Sequence, residues 1–502
     1  MTIYNINFGI GWASSGVEYA QAYRAKLLRK IDNDTKFIFL DFIQYENIQT
    51  LTNHIGFLDE EIIWLYQYFT DIKISPTIYT IDNLKQDIGL DVTYEEHIDK
   101  IKRLYLGSKH TYVTCFLKNS EEDIVDRAEF VVNNILIRKD FYSYVRIFSE
   151  YYAPYDNKAK LYMRQFYNED GTIAYNEYID DDSVLYSIKE VKLYSKAEFV
   201  AYFIKKLNLT FDDIIILDRA THIGQAVLQN KGNSHVGVVI HAEHFSENST
   251  NDMHILWNNY YEYQFSNAKE IDFFITATEL QEQILREQFE KYYNFIPRIR
   301  TIPVGFLEEL KYPKHCRKPY SMISASRLAS EKHVDWLVLA AIKAKTYIPE
   351  LSLDIYGEGA EKANLEKIIN EHDANSYIKL KGHTKLDDIY ADYRLFVSAS
   401  TSEGFGLTLM EAVGSGLGMI GFDVNYGNPT FIRDNQNGYL IPLSLKNNEK
   451  KEIVNKLSEY MVKYFKDDLV NAQNISYEIA GLFTKHHIEE RWRSLIKEVL
   501  YD

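Results

Sequence analysis

The sequence has few of the features that mark secreted or membrane-spanning proteins. It contains two cysteines, Cys115 and Cys316, which are far apart and lack the spacing of a metal site. Such sparse, separated cysteines favour a reducing compartment. No apolar run approaches the ~20 residues that a membrane-spanning helix requires, and the N-terminal segment lacks the basic and apolar regions of a signal peptide. We therefore expect a cytoplasmic protein, or one peripheral to the inner face of the cell membrane.

The sequence also lacks an excess of positive charge. It carries 56 Lys and Arg residues against 72 Asp and Glu residues, which gives a formal net charge of −16. Proteins that bind nucleic acids need basic side chains to neutralise phosphates. The charge balance therefore argues against a nucleic-acid-binding protein.

Aromatic residues, in contrast, are abundant. The 502-residue chain contains 40 tyrosines and 27 phenylalanines, and its length is sufficient for two or three domains. Many aromatic residues are typical of β-rich surfaces and of clefts that bind sugars or peptides. Ordinary core and cross-strand packing is the alternative interpretation.

The first chemical motif is a glycine-containing loop near the N-terminus. Residues 3–8 alternate as a strand, residues 9–16 form the loop, and residues 17–30 have helical spacing. A strand, loop and helix in this order let the backbone approach a phosphate or a sugar. The loop is not a strict GxGxxG motif, so a turn in which Ser14 or Ser15 caps the helix is the alternative.

The pattern changes after about Phe57. Short alternating runs fill residues 60–200, and Asn168–Gly171 joins two of them as in a β-hairpin. Because antiparallel strands do not fit inside a β-α-β alternation, we predict an inserted β-rich domain. The acidic run Asp180–Asp182 within it is interpreted as a solvated loop rather than a metal or diphosphate site.

The β-α-β alternation returns at Ser195, and a strand over residues 237–240 ends in His241-Ala-Glu-His244. A side chain at the C-terminal end of a parallel strand faces the crevice where ligands bind. His241 is therefore a candidate ligand-binding residue. A buried core histidine and a metal pair with His244 are the alternatives, and the second lacks a third ligand.

Two cations follow the first strand of the second half of the chain. Arg327 and Lys332 lie between a predicted strand, residues 320–326, and a predicted helix, residues 334–345. A guanidinium that binds two oxygens and an ammonium point charge suit a diphosphate. Ordinary surface cations are the alternative. The next two predicted strands, residues 352–356 and 377–380, lead into Gly357 and into Lys381-Gly-His383.

The most informative stretch is Thr401–Ala412. It follows a predicted strand, residues 395–400, and leads into a predicted helix, residues 407–413. Gly404 and Gly406 permit a tight turn and a close approach by a ligand. Glu403 and Glu411, eight residues apart, are placed to contact two parts of one ligand. A capping carboxylate and a solvated helical glutamate are the alternative.

Two Rossmann-like halves with these elements resemble a GT-B glycosyltransferase, and residues 305–440 resemble the retaining family that includes glycogen synthase and sucrose synthase. The resemblance implies that Arg327 and Lys332 hold the donor diphosphate and that Glu411 binds the ribose hydroxyls. It also implies that the donor sugar contacts the segment Glu403, Gly404, Phe405 and Gly406.

A closer resemblance extends over nearly the whole chain. Residues 1–24, Asn134–Asp140, His241–His244 and Ile255–Tyr261 are similar to the GtfA family, the catalytic subunits that begin O-glycosylation of serine-rich-repeat adhesins in Gram-positive bacteria. The resemblance implies further roles, in which His241 contacts N-acetylglucosamine and the nucleotide is bound by Gly16, Gly357, Gly382, His383 and Thr384. The implied catalytic residues are Arg327, Lys332, His241 and Glu403.

The implied fold is α/β and of the GT-B class, with two Rossmann-like domains facing a cleft and an inserted β-rich domain. The predicted segments are 1–57 and 201–305 for the first Rossmann-like domain, 58–200 for the insertion, 306–480 for the nucleotide-sugar domain, and 481–502 for a helix that crosses back.

The implied activity is a retaining transfer of N-acetylglucosamine from UDP-GlcNAc to Ser and Thr hydroxyls of the adhesin. The implied partner is GtfB, a non-catalytic subunit, in a heterotetramer, and no metal or other cofactor is expected. The alternatives are a UDP-glucose-using protein O-glucosyltransferase and a non-catalytic glycan- or peptide-binding subunit. A lipid- or polysaccharide-directed glycosyltransferase would require an acceptor-side patch, and an epimerase or dehydrogenase would require a nicotinamide motif.

Overall fold

The computed structural model describes residues 1–11, 16–31, 34–156, 158–219, 221–443, 449–467, 469 and 471–501. These residues divide into two compact units. Unit 1 comprises 1–237 and 259–271, and unit 2 comprises 238–258 and 272–502. Ser14 and Ser15, the candidate helix caps, lie outside the described residues.

Unit 1 contains a parallel sheet and the helices that connect its strands. Within this unit the strand order is β14-β1-β2-β3, and every pair is parallel. Its elements other than the antiparallel strands are β1 (Thr2–Asn7), α1 (Gly16–Leu28), β2 (Asp34–Phe39), α2 (Ile48–Ile55), β3 (Ile62–Trp64), α3 (Ile81–Ile88), α4 (Lys196–Lys206), β14 (Ile214–Leu217), α5 (Gly224–Leu228) and α6 (Glu262–Ser266). Strand β15 (His235–Ile240) crosses the boundary between the units.

The antiparallel strands predicted within residues 58–200 form one ten-stranded sheet in which neighbours in sequence are neighbours in space. Its strands are β4 (Tyr94–Ile98), β5 (Ile101–Ser108), β6 (Thr111–Leu117), β7 (Val125–Val132), β8 (Ile135–Tyr142), β9 (Arg146–Tyr155), β10 (Lys158–Tyr167), β11 (Ile173–Asp180), β12 (Ser183–Ile188) and β13 (Val191–Leu193). The hairpin predicted at Asn168–Gly171 joins β10 to β11. Strand β3 lies inside the predicted insertion but pairs with β2. The sequence did not reveal this strand, because three residues are too few to show periodicity.

Many of the aromatic residues serve packing at this sheet. Phe166 and Tyr175 are fully buried and stack with ring centroids 4.4 Å apart. The Arg164 guanidinium, in the same sheet, forms ion pairs of 2.9 Å with Glu150 and with Glu177. Both carboxylates are buried, so the arginine compensates charges that would otherwise be costly in an apolar interior.

Unit 2 is built on a six-stranded parallel sheet with the order β20-β19-β18-β21-β22-β23. Its elements are β16 (Phe273–Thr276), α7 (Glu279–Tyr293), β17 (Ile299–Thr301), β18 (Ser321–Ala325), α8 (Val334–Lys345), β19 (Ser352–Tyr356), α9 (Lys362–Glu371), β20 (Ile378–Gly382), β21 (Leu395–Val397), α10 (Leu407–Gly414), β22 (Gly418–Asp423), α11 (Gly427–Phe431), β23 (Gly438–Pro442), α12 (Lys450–Lys466), α13 (Ala472–Gly481) and α14 (Lys485–Tyr501).

The strands at the centre of this sheet are apolar throughout. Every residue of β18 and β21 is buried, as expected for parallel strands that helices cover on both faces. Helices α8 and α12 contribute buried side chains such as Leu337 and Leu457 to the same core. The alternation of strands and helices predicted for this half is confirmed, and the carboxyl ends of β18, β19, β20 and β21 carry the candidate site residues.

The C-terminal helix α14 packs against β17. Arg491 donates a hydrogen bond of 3.0 Å to the carbonyl of Thr301, and Arg300 forms an ion pair of 2.7 Å with Glu498. None of the helices in the described part of the chain is long and apolar enough to cross a membrane.

Candidate active site

The turn between β21 and α10 carries Glu403 and is held by backbone hydrogen bonds. The N–H groups of Tyr426 and Gly427 donate to the Glu403 carbonyl over 2.7 and 2.8 Å, and the Glu403 N–H donates to Asn425 over 3.3 Å. Gly406 begins the helix with φ 87°, a conformation in which a side chain would be strained. The main chain of Glu403 is therefore fixed on both sides.

The Glu403 side chain forms an ion pair with Lys332. Lys332 Nζ donates to Glu403 Oε2 over 2.7 Å, and the two side chains are 15% and 21% exposed. The structure thus brings together a cation predicted to hold a diphosphate and a carboxylate predicted to contact a sugar, although they are 71 residues apart. Partial burial strengthens the attraction relative to an exposed pair.

Arg327 occupies a different environment from Lys332. Its side chain is 67% exposed and forms a local ion pair of 3.2 Å with Glu331, four residues further along the chain. An exposed pair of this kind contributes little stability, so the guanidinium exchanges partners at small cost. An exposed cation with only this weak local pairing suits a residue that engages an anionic ligand.

The loops after β18, β19 and β20 are locked together by their backbones. Leu328 N–H donates to Glu358 over 2.9 Å, and Gly357 N–H donates to Gly382 over 2.9 Å. Gly357 has φ 142°, and a Cβ there would lie 1.9 Å from the Ser326 carbonyl oxygen. Only glycine fits at this close approach, which brings the predicted nucleotide-binding positions Gly357 and Gly382 next to the loop of Arg327.

The other two nucleotide-binding candidates of this region lie directly after β20. His383 and Thr384 are exposed and come immediately after Gly382, the last residue of β20. Their side chains thus lie at the carboxyl end of the strand, beside the locked loops, which is consistent with contact to a ligand there.

Glu411 lies inside α10, and its side chain is half-buried. Burial, together with a smaller contribution from the charge of Asp387, raises the pKa of its carboxyl to about 7. The Tyr390 hydroxyl donates to Glu411 Oε2 over 3.1 Å, which opposes the rise in pKa. A carboxylate with a pKa perturbed in this way is typical of a functional site, because an isolated buried charge is costly unless a ligand compensates it.

His241 directly follows β15 and lies against the turn that carries Glu403. A Cβ placed on Gly404 would be 2.5 Å from the His241 carbonyl oxygen. The His241 side chain is half-buried. The structure thus places His241 beside the predicted sugar-binding segment, as expected for the end of a parallel strand.

Phe405 differs from its predicted role. Its side chain is 4% exposed and packs against Phe431 and Phe483, with ring centroids 5.1 and 5.9 Å away. The ring is therefore part of the hydrophobic core, and any contact from this position to a sugar comes from the backbone. Sequence alone did not separate the two roles, because an aromatic residue in a glycine-rich turn fits either.

Gly16, the remaining candidate, is the first residue of α1 and is exposed. It belongs to unit 1, and its role in nucleotide binding stays a prediction. The metal interpretation of His241 and His244 gains no support, since no group of three His, Cys, Asp or Glu side chains with metal-binding geometry occurs among the described residues.

Sequence reasoning missed the side chains that support the site. Tyr390 and Tyr426 were not singled out, and His244 was considered as a core residue or a metal ligand. His244 is in fact buried, and its ring hydrogen-bonds Tyr426 and Gln288. These partners are 182 and 44 residues away in the sequence, and periodicity carries no signal for such contacts.

Two family models match the chain. Residues 94–190 match the GtfA extended beta-sheet domain, and residues 309–468 match the glycosyl transferases group 1 model. The first match coincides with the ten-stranded sheet, and the second covers the Arg327, Lys332, Glu403 and Glu411 positions.

Curated relatives match over the full length. The chain is 53% identical to the UDP-N-acetylglucosamine–peptide N-acetylglucosaminyltransferase GtfA subunit of Streptococcus gordonii, covering 100% of this chain and 99% of the relative. It is 51% identical to the protein of the same name from Streptococcus agalactiae, with the same coverage.

Solved structures give the same result. The pneumococcal O-GlcNAc transferase GtfA in complex with UDP and GlcNAc is 51% identical, with a TM-score of 0.95 over 100% of this chain and 99% of that one. A crystal structure of a GtfA/B complex contains a chain that is 53% identical, with a TM-score of 0.95 and full coverage of both chains. The GT-B fold class predicted from the sequence is confirmed. The chain belongs to the GtfA subunit family of UDP-N-acetylglucosamine–peptide N-acetylglucosaminyltransferases.

Proposed function

We propose that this chain is the catalytic subunit of a retaining glycosyltransferase that moves N-acetylglucosamine from UDP-GlcNAc to Ser and Thr hydroxyls of a serine-rich-repeat adhesin. The names of relatives at 51–53% identity support the donor and the peptide acceptor. The observation that carries the proposal is the ion pair between Lys332 and Glu403.

This ion pair fits the chemistry of a nucleotide-sugar donor. The anomeric carbon of such a donor is bonded to an oxygen of the diphosphate, so the sugar site must adjoin the diphosphate site. We assign Lys332 to the diphosphate site and Glu403 to the sugar site. Lys332 Nζ and Glu403 Oε2 are 2.7 Å apart. A diphosphate would draw Lys332 towards its oxygens, which would leave Glu403 to accept hydrogen bonds from sugar hydroxyls.

The nucleotide end of the donor is assigned to Glu411 and the glycine-containing loops. A carboxylate accepts hydrogen bonds from both hydroxyls of a ribose. At Gly357 a Cβ would lie 1.9 Å from the Ser326 carbonyl oxygen, and at Gly382 it would lie 3.1 Å from Glu358 Oε1. The two loops therefore pack closely as bare backbone, whose polar groups we assign to contact with the nucleotide. We assign His383 and Thr384 to the same nucleotide site on the family resemblance, and the role of Gly16 in nucleotide binding stays a prediction.

In the transfer itself, the bond between the anomeric carbon and the diphosphate breaks, and a bond from the acceptor oxygen forms on the same face. The departing diphosphate gains negative charge, which Lys332 and Arg327 would stabilise. The acceptor hydroxyl loses its proton to the departing diphosphate, so the step is balanced without a protein base. We assign His241 a hydrogen bond to the donor sugar beside the anomeric carbon.

We propose that a GtfB-like non-catalytic subunit assembles with this chain, with the ten-stranded sheet contributing to partner and acceptor binding. A relative has been crystallised as a GtfA/B complex, and the sheet matches the GtfA extended beta-sheet domain. We place the enzyme in the cytoplasm, either free or peripheral to the inner face of the cell membrane. The exposed, unpaired Cys316 thiol is consistent with a reducing compartment.

The proposal is tested by transfer from radiolabelled UDP-GlcNAc and UDP-glucose to a Ser/Thr-rich peptide, with and without the partner subunit. We expect alkali-labile label on the peptide from UDP-GlcNAc, and its loss in Glu403→Ala. Label from UDP-glucose instead would support the O-glucosyltransferase alternative. No label from either donor in the presence of partner would support a non-catalytic binding subunit.

A further inference from the structure

A buried histidine connects the two segments that carry the predicted sugar-binding residues. His244 and Tyr426 are both 0% exposed, and their rings stack with centroids 5.7 Å apart. The Tyr426 hydroxyl lies 3.0 Å from His244 Nδ1, and Gln288 Oε1 lies 2.8 Å from His244 Nε2. Three side chains thus form a continuous hydrogen-bonded chain inside unit 2.

The direction of these hydrogen bonds follows from the chemistry of the groups. Burial lowers the pKa of His244 to about 4, so the ring is neutral near neutral pH and has one N–H. The Gln288 carbonyl oxygen accepts only, so the proton lies on Nε2. Nδ1 is then the acceptor, and the Tyr426 hydroxyl donates to it.

Tyr426 in turn holds the main chain of Glu403. Its backbone N–H donates to the Glu403 carbonyl over 2.7 Å, and residues 403 and 426 form an isolated parallel bridge. Displacing the Tyr426 backbone would therefore displace Glu403 and the ion pair of its side chain with Lys332.

His244 is held in the segment that begins with His241. Gln281 Nε2 donates to the Ala242 carbonyl over 2.9 Å, and Asn258 N–H donates to the His244 carbonyl over 2.9 Å. The segment is thus held at Ala242 and at His244, which limits the movement of His244 relative to His241.

We propose that His244 and Tyr426 are positioning residues that set the distance between His241 and Glu403 around the donor sugar. This role rests on the proposed function. Neither side chain needs to touch the substrate, because their hydrogen bond joins the segment of His241 to the segment that holds Glu403. A shift of the order of 1 Å in a reacting group is enough to lower catalysis by about 100-fold.

The test uses nearly isosteric variants of the full chain together with its partner subunit. Tyr426→Phe removes one hydroxyl and keeps the ring. We expect kcat for transfer from UDP-GlcNAc to fall by about 10-fold to 100-fold, with the Kd for UDP from titration calorimetry unchanged within about twofold, because the nucleotide site is held by other elements. Tyr439→Phe is the matched control, since it removes a buried tyrosine hydroxyl that bonds Asp467 elsewhere in unit 2.

Two substitutions of His244 separate positioning from simple packing. The amide of His244→Asn reaches the place of Nδ1 and retains an acceptor for Tyr426, whereas the amide of His244→Gln reaches the place of Nε2. We expect the asparagine variant to retain more kcat than the glutamine variant, although glutamine is closer in volume to histidine. A purely structural role predicts the opposite order.

The outcomes distinguish this inference from the proposed function. Two results would overturn the positioning role alone. The first is a kcat of Tyr426→Phe within twofold of the wild-type value, and the second is a UDP affinity of this variant that falls in parallel with its kcat. Donor hydrolysis without acceptor is measured in the same samples and must follow the same order of variants. A wild-type chain that neither transfers nor hydrolyses the donor would overturn both.

Discussion

The raised pKa of Glu411 makes nucleotide binding depend on pH in a predictable direction. Burial raises this pKa to about 7, well above the usual value for a glutamate of about 4.3. In the proposed complex the carboxylate accepts hydrogen bonds from the ribose hydroxyls, so the donor binds the ionised form. Donor affinity should therefore fall as the pH is lowered through the pKa.

The size of the effect follows from the fraction that is ionised. With a pKa of about 7, about one tenth of Glu411 is ionised at pH 6 and about nine tenths at pH 8. If only the ionised form binds, the affinity rises by about 10-fold over this range, or by about 1.4 kcal/mol. Binding at pH 7, where about half of Glu411 is protonated, should also release about half a proton per ligand bound.

Titration calorimetry with UDP-GlcNAc, without acceptor, measures both quantities. The diphosphate of a nucleotide sugar is a diester and does not titrate between pH 6 and 8, so the ligand contributes no proton. Proton release is obtained by repeating the titration in buffers of different ionisation enthalpy. Glu411→Gln should bind more weakly and lose the pH dependence, which separates Glu411 from histidines that titrate in the same range.

Tyr390→Phe provides a second, directional test. Its hydroxyl lowers the pKa of Glu411, so its removal should shift the midpoint of the affinity profile to higher pH. Donor affinity that is flat from pH 6 to pH 8 in the wild type, or a pH dependence that persists in Glu411→Gln, would refute the assignment of Glu411 to the ribose.

Three further predictions concern the diphosphate and the sugar. Lys332→Ala should lower kcat ~10²–10³-fold. The control is Lys367→Ala, which removes an exposed lysine on α9 and should leave kcat unchanged. Near wild-type turnover in Lys332→Ala would exclude the diphosphate role. Gly404→Ala should lower kcat about 100-fold, because its Cβ would lie 2.5 Å from the His241 carbonyl oxygen. Gly481→Ala is the control, since a Cβ there has open space. Equal kcat values for the two variants would contradict the close approach. Transfer should continue in excess chelator, because two cations serve the diphosphate; activity that disappears with chelator and returns with Mg²⁺ would show that they do not suffice.

The sequence was most informative where periodicity and strand ends coincide. The predicted bounds of α8 and β19 agree with the structure, since their apolar spacing is regular and their ends are marked by polar or glycine residues. The neighbourhood of Lys332 and Glu403 followed from a rule of topology, namely that the carboxyl ends of parallel strands face one crevice.

The sequence was least informative about contacts that depend on packing. Phe405 was assigned to the sugar, but its ring is in the core. The pairing of β3 with β2 and the hydrogen bond between His244 and Tyr426 join segments that no local pattern relates. Only the three-dimensional arrangement of unit 2 identifies Tyr426 as the support of Glu403.

The most direct test of the account is the anomeric configuration of the sugar on the peptide product. The sugar of UDP-GlcNAc is α-linked to the diphosphate, and a retaining transfer keeps this configuration. Proton NMR of the purified glycopeptide should therefore show an α-linked N-acetylglucosamine on a Ser or Thr oxygen, formed by wild type and absent with Lys332→Ala. A β-linked product, or an α-linked product that Lys332→Ala forms at the wild-type rate, would contradict the account.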